Sequence, residues 1–322
     1  MMLRHPSLDG WCILPLVVDL LDGARCQAGA AGGHRGVVVF SLISLTTSGL
    51  KGDSAVLEGV SMCTILIGLH IHPSAPLIVA ANRDEYHARR SSPPALRSRM
   101  PWIMAPCDEK AGGTWIGMAS WGIAALTNRP ATEPFHPSLR SRGLLVMDVL
   151  RASSLAEALE RAEQGRADHP YAPFNLLVAS PEMGAVHYHP SVEDATKIDA
   201  LTPGWHVLPN GRMDDPADPK VVRAKGLLDA LDDDLDEPAL VREMGTILAD
   251  HEAAADTPDA PAWFPEALRG RLSALCVHLP AYGTRSSSVL MMNEGGEGAY
   301  YHAEGAPCRV PLRRVYTGRM GR

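Results

Sequence analysis

The sequence predicts an α+β fold in which antiparallel sheets pack together with helices outside. Three observations carry this: paired β-rich runs where regular patterning begins, a middle section with helix caps and apolar stripes, and a closing strand pair around Asn293-Glu294-Gly295-Gly296. Hairpins build antiparallel sheets, and sheets and helices with one apolar face bury it by layering.

The first run, residues 63–71, is β-rich; residues 76–81 follow after His72-Pro73-Ser74-Ala75, as a hairpin should. Residues 114–118 and 122–127 form a second pair around Ala119-Ser120-Trp121. Helical signals come next. Residues 143–152 carry Leu144, Leu145, Met147, Val149 and Leu150, and Ser154-Leu155-Ala156-Glu157 is a capping box. Behind that box, Leu155, Ala158, Leu159 and Ala162 fall on one helix face. Strands are expected at 174–179, 185–188 and 205–208. Helices are expected at 219–231, with proline in the tolerated first position, and at 238–249, where Leu240, Val241, Met244, Ile247 and Leu248 make a stripe. The acidic run 229–237 lacks the glycine and ligand spacing of a calcium loop and reads as a solvated connection. Residues 252–263, rich in Ala, Asp and Pro, read as an exposed loop, and 288–292 with 299–302 close the chain as a hairpin.

A chain of 322 residues with 46% apolar content can bury a substantial core. A net charge of -7, with no basic stripe, excludes a phosphate-gripping surface, so nucleic acid is not an expected partner. The longest early apolar run, 11–21, is interrupted by Pro15 and Asp19, so no membrane span is expected, and with Arg4 it makes a poor secretory signal. Six cysteines without a C-x-x-C pair argue against a zinc site and a dense disulfide framework; reduced thiols in a cytoplasm are expected. His70 with His72, and His187 with His189, each share one side of a strand, but neither pair fills a four-coordinate site, and no metal is expected. Residues 1–61, with weak periodicity, a Gly/Ala patch at 28–33 and an isolated apolar run at 37–45, do not read as a domain. They read as an extension, or as sequence upstream of a true start at Met62. The single domain is expected over 62–316, with a tail at 317–322.

If translation starts at Met62, removal of that residue leaves Cys63 with a free α-amine. Such an amine titrates at about 8 and can take the thiol proton, so one residue is both nucleophile and base. Attack on a carbonyl then gives an acyl-enzyme that water releases. The plain alternative is a small buried hydrophobe. The strand after the first turn ends in Asn82-Arg83-Asp84-Glu85, and the hairpin brings this end beside Cys63. Arg83 there would favour the thiolate, and Asp84 could hold the ammonium; a solvated strand end is the competing reading.

Met62-Cys63-Thr64 followed by Ala81-Asn82-Arg83-Asp84-Glu85 resembles the NRDE family, also called the transport and Golgi organization family. The resemblance continues through Gly112-Gly113-Thr114-Trp115-Ile116-Gly117, Ala124-Ala125-Leu126-Thr127-Asn128, Pro173-Phe174-Asn175-Leu176-Leu177, Leu208-Pro209-Asn210-Gly211 and Tyr282-Gly283-Thr284-Arg285-Ser286-Ser287. That family is in turn similar to N-terminal-nucleophile cysteine hydrolases such as bile salt hydrolases and penicillin V acylases. The similarity implies a four-layer αββα sandwich of two mostly antiparallel sheets, with no cofactor. It implies Cys63 as nucleophile, Arg83 and Asp84 as its electrostatic setting, Asn128 and Asn210 near an oxyanion, and Arg285 as a further charge. Asn128 before Arg129-Pro130, and Asn210 before Gly211, also suit turns, and Arg285 also suits a surface ion pair. The glycine pair 112–113 has no following lysine and reads as a turn leading into a strand. The activity implied is hydrolysis of a non-peptide amide or ester in a small-molecule substrate. The family's link to secretion and Golgi organization, and the association of some members with haem or lipid handling, imply the alternative, a non-catalytic ligand-binding or trafficking protein on the same scaffold that holds a hydrophobic ligand.

Overall fold

The computed structural model describes residues 63–130, 138–189, 198–232, 234–254 and 269–321. The expected extension at 1–61, Met62, and all but the first residues of the loop expected at 252–263 lie outside them.

The chain opens with β1 (Thr64–Leu69) and β2 (Leu77–Tyr86), then β3 (Ser91–Arg99), β4 (Trp102–Asp108), β5 (Ile116–Ala119) and β6 (Gly122–Asn128). Two helices follow, α1 (Arg142–Leu150) and α2 (Leu155–Asp168). Next come β7 (Phe174–Ala179), β8 (Gly184–His189), β9 (Ile198–Ala200) and β10 (Gly204–Leu208), then α3 (Pro219–Leu228) and α4 (Glu237–Leu248). The last strands are β11 (Tyr282–Met292), β12 (Glu297–Ala303) and β13 (Arg313–Arg319).

The strands form two sheets. A six-stranded sheet runs β10-β1-β2-β11-β12-β13 and a seven-stranded sheet runs β3-β4-β5-β6-β7-β8-β9, and the pairings between named strands are antiparallel. Period-two alternation decides what each strand buries. Ile65, Ile67, Leu77 and Val79 of one sheet meet Met104, Ile116, Met118, Ile123 and Leu177 of the other in a central core. The opposite face of the six-stranded sheet, with Leu66, Ile78, Ala80 and Val289, packs on Val221, Leu240, Met244 and Leu248 of α3 and α4. Ile103, Ala124, Leu126 and Leu176 on the outer face of the seven-stranded sheet pack on Leu145, Val149, Ala158 and Ala162 of α1 and α2. The result is an α+β sandwich with a helix pair outside each sheet.

The caps explain where the helices begin. Asp218 accepts from Lys220 N with Pro219 following, and Asp236 accepts from Ala239 N with Pro238 near the start. Ser154 accepts from Glu157 N, while the Glu157 carboxylate reaches back to Ser153 N, one residue before the cap. Several elements differ from the sequence expectation. β3, β4, β9 and β13 are additional strands, α3 ends at Leu228 and not at 231, and β11 begins at Tyr282. β13 runs through residues 317–319, inside the expected tail, and Met320 joins the central core. The four paired histidines are occupied by other contacts: His70 and His72 bond Pro181 O and Leu235 O, His187 lies 3.1 Å from Glu163, and His189 stacks on Phe174. No described helix is long and apolar enough to cross a membrane.

Candidate active site

The β1–β2 hairpin sets the site. Its register pairs Thr64 with Asn82, so Cys63, one residue earlier, stands beside Arg83. Alternation along β2 then sends Arg83 and Glu85 toward the side of Val79 and Ala81, which face the other sheet. Asn82 and Asp84 point toward the helix layer. Cys63, Arg83 and Glu85 accordingly line one cavity of about 460 Å³, closed by Arg89, Asp108, Thr114, Trp115, Asn128 and Arg142 among others.

The cavity wall is a network of charges. Arg89 Nη2 donates to Asp108 Oδ2 at 2.6 Å, and its Nε lies 3.6 Å from Glu85 Oε2, itself 3.7 Å from Arg83 Nη2. The Arg83 guanidinium sits 4.4 Å from the centre of the Trp115 ring, a cation–π contact sheltered from water. Its Nη1 is buried without a hydrogen-bond partner among the described residues. Burial lowers the Arg83 pKa, while the nearby Glu85 and Cys63 charges work against that fall. Burial would raise the Asp108 carboxyl, but hydrogen bonding and charge from Arg89 bring it below its ordinary value. Arg142 at the start of α1, held by Pro173 O, is lowered to about 10 by burial and by the Arg89 charge, and stays cationic at neutral pH. Five cationic side chains, Arg83, Arg89, Lys110, Arg140 and Arg142, face two carboxylates, so the cavity suits an anion.

Asp84 occupies the other side of the strand. Fully buried, it accepts from Thr284 Oγ1 at 2.5 Å, and burial pushes its carboxyl up to about 7, with Lys220 as the main opposing charge. Asn128 lines the cavity at the end of β6. Asn210 is buried behind it and donates its side-chain amide to the Asn128 carbonyl. The turn carrying Asn210 is pinned by Asn175, whose Nδ2 reaches Gly211 O at 2.7 Å. Arg285 sits at the bulge where β11 shifts register against β2, outside the cavity lining. The structure thus gathers Cys63, Arg83 and Asn128 at the cavity and sets Asp84, Asn210 and Arg285 around it. Glu85, Arg89, Asp108, Trp115 and Arg142 are cavity residues that sequence reasoning did not single out. Glu85 was reachable, because two residues from Arg83 along a strand means the same face; the others converge from separate elements.

A thiol and a guanidinium on neighbouring strands, sharing a cationic cavity, define an α+β sandwich protein with a pocket built around one cysteine. The chain belongs to the Transport and Golgi organisation 2 family, which matches residues 62–304. It is 31% identical over 252 residues to the Transport and Golgi organization protein 2 homolog of Bos taurus, covering 73% of this chain and 90% of that protein. The Mus musculus and Homo sapiens homologs are each 28% identical, over 254 and 257 residues, with the same shares covered.

Proposed function

We propose that the protein is a cysteine amidohydrolase of the N-terminal-nucleophile type, cleaving a non-peptide amide or ester, and that its layers correspond to the αββα sandwich of such enzymes. The observation that carries this reading is Cys63 lining the same cavity as Arg83, one strand away. The active chain begins at Cys63, after loss of Met62. Its α-amine takes the thiol proton, the sulfur attacks the substrate carbonyl, and the amine returns the proton to the departing nitrogen or oxygen. Water then opens the thioester by the reverse proton path. Arg83 favours the thiolate, while Asp84, on the opposite face of β2 and bonded to Thr284, braces the strand that carries Arg83. Asn128 supplies a polar group to the oxyanion, where losing one direct donor typically costs about 2.7 to 4 kcal/mol of barrier. Asn210 positions Asn128 through its carbonyl, and Arg285 contributes from outside the lining. The excess of arginines over carboxylates favours a substrate with an anionic group, such as an N-acylated amino acid. A nucleophile that must stay a free thiol suits a reducing cytoplasm.

Protein expressed from Met62 tests this directly. N-terminal sequencing should read Cys63 first, and a panel of N-acyl amino acids should yield free amine. Cys63→Ala should stay folded and lose that turnover. Unchanged hydrolysis by Cys63→Ala, or an active protein whose intact mass still includes residues 1–61, would sink the mechanism.

A second reading, carriage of an anionic hydrophobic ligand without chemistry, is favoured by the same Cys63 sulfur among arginines, since a thiolate can ligate haem iron and guanidinium groups bind propionates. Titration with haemin separates the two. A Soret shift in wild type that disappears in Cys63→Ala supports carriage, and identical spectra for both proteins count against it.

A further inference from the structure

Far along the chain from the cysteine of the cavity, four other side chains converge. His251, Cys276, His278 and Cys308 each present a ligand atom, and these atoms lie within 4.8 Å of one another. We infer that these four residues form a structural zinc site.

The spacings carry the inference. A tetrahedral zinc ion, with bonds of about 2.3 Å to sulfur and about 2.0 Å to nitrogen, holds sulfur pairs about 3.8 Å apart and sulfur–nitrogen pairs about 3.5 Å apart. Here the two sulfurs are 3.8 Å apart, and His278 Nε2 is 3.5 Å from Cys276 Sγ and 3.2 Å from Cys308 Sγ. The fourth ligand is oriented as zinc-binding histidines are. His251 Nδ1 lies 3.1 Å from the Cys276 carbonyl oxygen, which places the proton on Nδ1 and leaves the Nε2 lone pair for the metal. Two thiolates and two imidazoles are a closed, soft set that selects zinc over magnesium or calcium. With four protein ligands no position is left for a substrate, so the role is structural.

Cys276 is buried, while His251 and Cys308 are exposed, so the ion has a path in from solvent. Sequence spacing hid the site. Only Cys276 and His278 are near neighbours; His251 stands 25 residues before Cys276, and Cys308 stands 30 after His278. The ion would tie the segment after α4, the approach to β11 and the β12–β13 connection into one knot. That knot backs onto the Asn82–Asp84 side of β2. Asn82 bonds Leu275 O next to Cys276, and Thr284, which bonds Asp84, receives Val277 N.

The test uses the full chain purified without chelator. Elemental analysis should find one zinc per protein, lost in Cys308→Ala and in His251→Ala but kept in Cys107→Ala. Cobalt exchanged into the wild type should give the intense visible bands of a tetrahedral two-thiolate centre, which decides the matter even if a ligand variant fails to fold. A chelator should lower the wild-type melting temperature by several degrees and leave a folded Cys308→Ala unmoved. Substoichiometric metal after supplementation, equal zinc in wild type and Cys308→Ala, or a Cys276–Cys308 disulfide in freshly purified protein would each overturn the assignment.

Discussion

Asn82 donates to Leu248 O and Leu275 O, both at 2.8 Å, and accepts from Ser287 Oγ at 2.5 Å, all out of reach of water. A buried group left unsatisfied costs about 1–3 kcal/mol, so Asn82→Ala, which strands three at once, should lower stability by about 3 kcal/mol or more. Urea denaturation reads this as a lower midpoint with the slope kept; an unshifted midpoint would contradict the network. Asp84 makes a pH-dependent prediction. Burial raises its carboxyl from 3.8 to about 7, so the folded state holds that proton more tightly than the unfolded chain. The stabilisation is complete below pH 3.8 and is lost as pH rises through about 7. Asp84→Asn has no such proton, so the stability difference between the two proteins should move in favour of the variant across that window. A difference that stays flat with pH would mean the carboxyl is not held protonated. At this scale the legible part of the site was what one hairpin dictates, Cys63 beside Arg83. Arg89, Asp108, Trp115 and Arg142 were not legible, because nothing in a linear pattern says that a loop arginine, a strand end, a turn tryptophan and a helix start will meet.

Among elements, the contact between the Gly112-Gly113 turn and α1 matters most for the cavity. Gly112 has φ +72, a left-handed conformation that suits glycine. At Gly113 the constraint is space: a Cβ there would stand 2.3 Å from the Gly143 carbonyl carbon, and Thr114 N donates to Gly143 O just beside it. Gly143 adjoins Arg142, so Gly113→Ala should push the start of α1, and that guanidinium, away from the cavity. The expected cost is about 1–3 kcal/mol of stability from overpacking, with a larger proportional loss of turnover; calorimetry and kinetics on the same sample check both. A variant with wild-type melting and turnover would show that the turn yields freely. The hairpins β1–β2, β5–β6 and β11–β12, and the capped helices, were legible because alternation and caps are local. β3 was not: Pro93-Pro94 sits in an edge strand whose side chains are mostly exposed, so neither burial nor propensity marks it. β13 is mostly exposed in the same way and is paired only on its β12 side.

For the molecule as a whole, the stacking of two sheets means that even an edge strand contributes to the central core. Tyr316 of β13 packs on Trp102 of the opposite sheet with ring centres 4.9 Å apart, and Met320 just beyond it is 3% exposed. β13 also lies beyond residue 304, where the family match ends. Removing residues 313–322 keeps Cys308 but uncovers the β12 edge and opens the core between the sheets. The shortened protein should melt well below wild type and associate as its concentration rises, because a bare strand edge pairs with another. Light scattering and thermal unfolding would read this, and a shortened chain that stays monomeric with unchanged melting would mean that β13 is dispensable.

The split allegiance of residues 82–85 gives four adjacent letters two separate jobs. Replacements at Arg83 and Glu85 should register first in what the pocket accepts, while replacements at Asn82 and Asp84 should register first in resistance to heat. Tolerance plotted against position would then look like a comb with teeth at every second residue. Inserting one amino acid ahead of the tetrad would swap the teeth, delivering carboxamide and aspartate to the pocket and two ionic groups to the oily side beneath the helices.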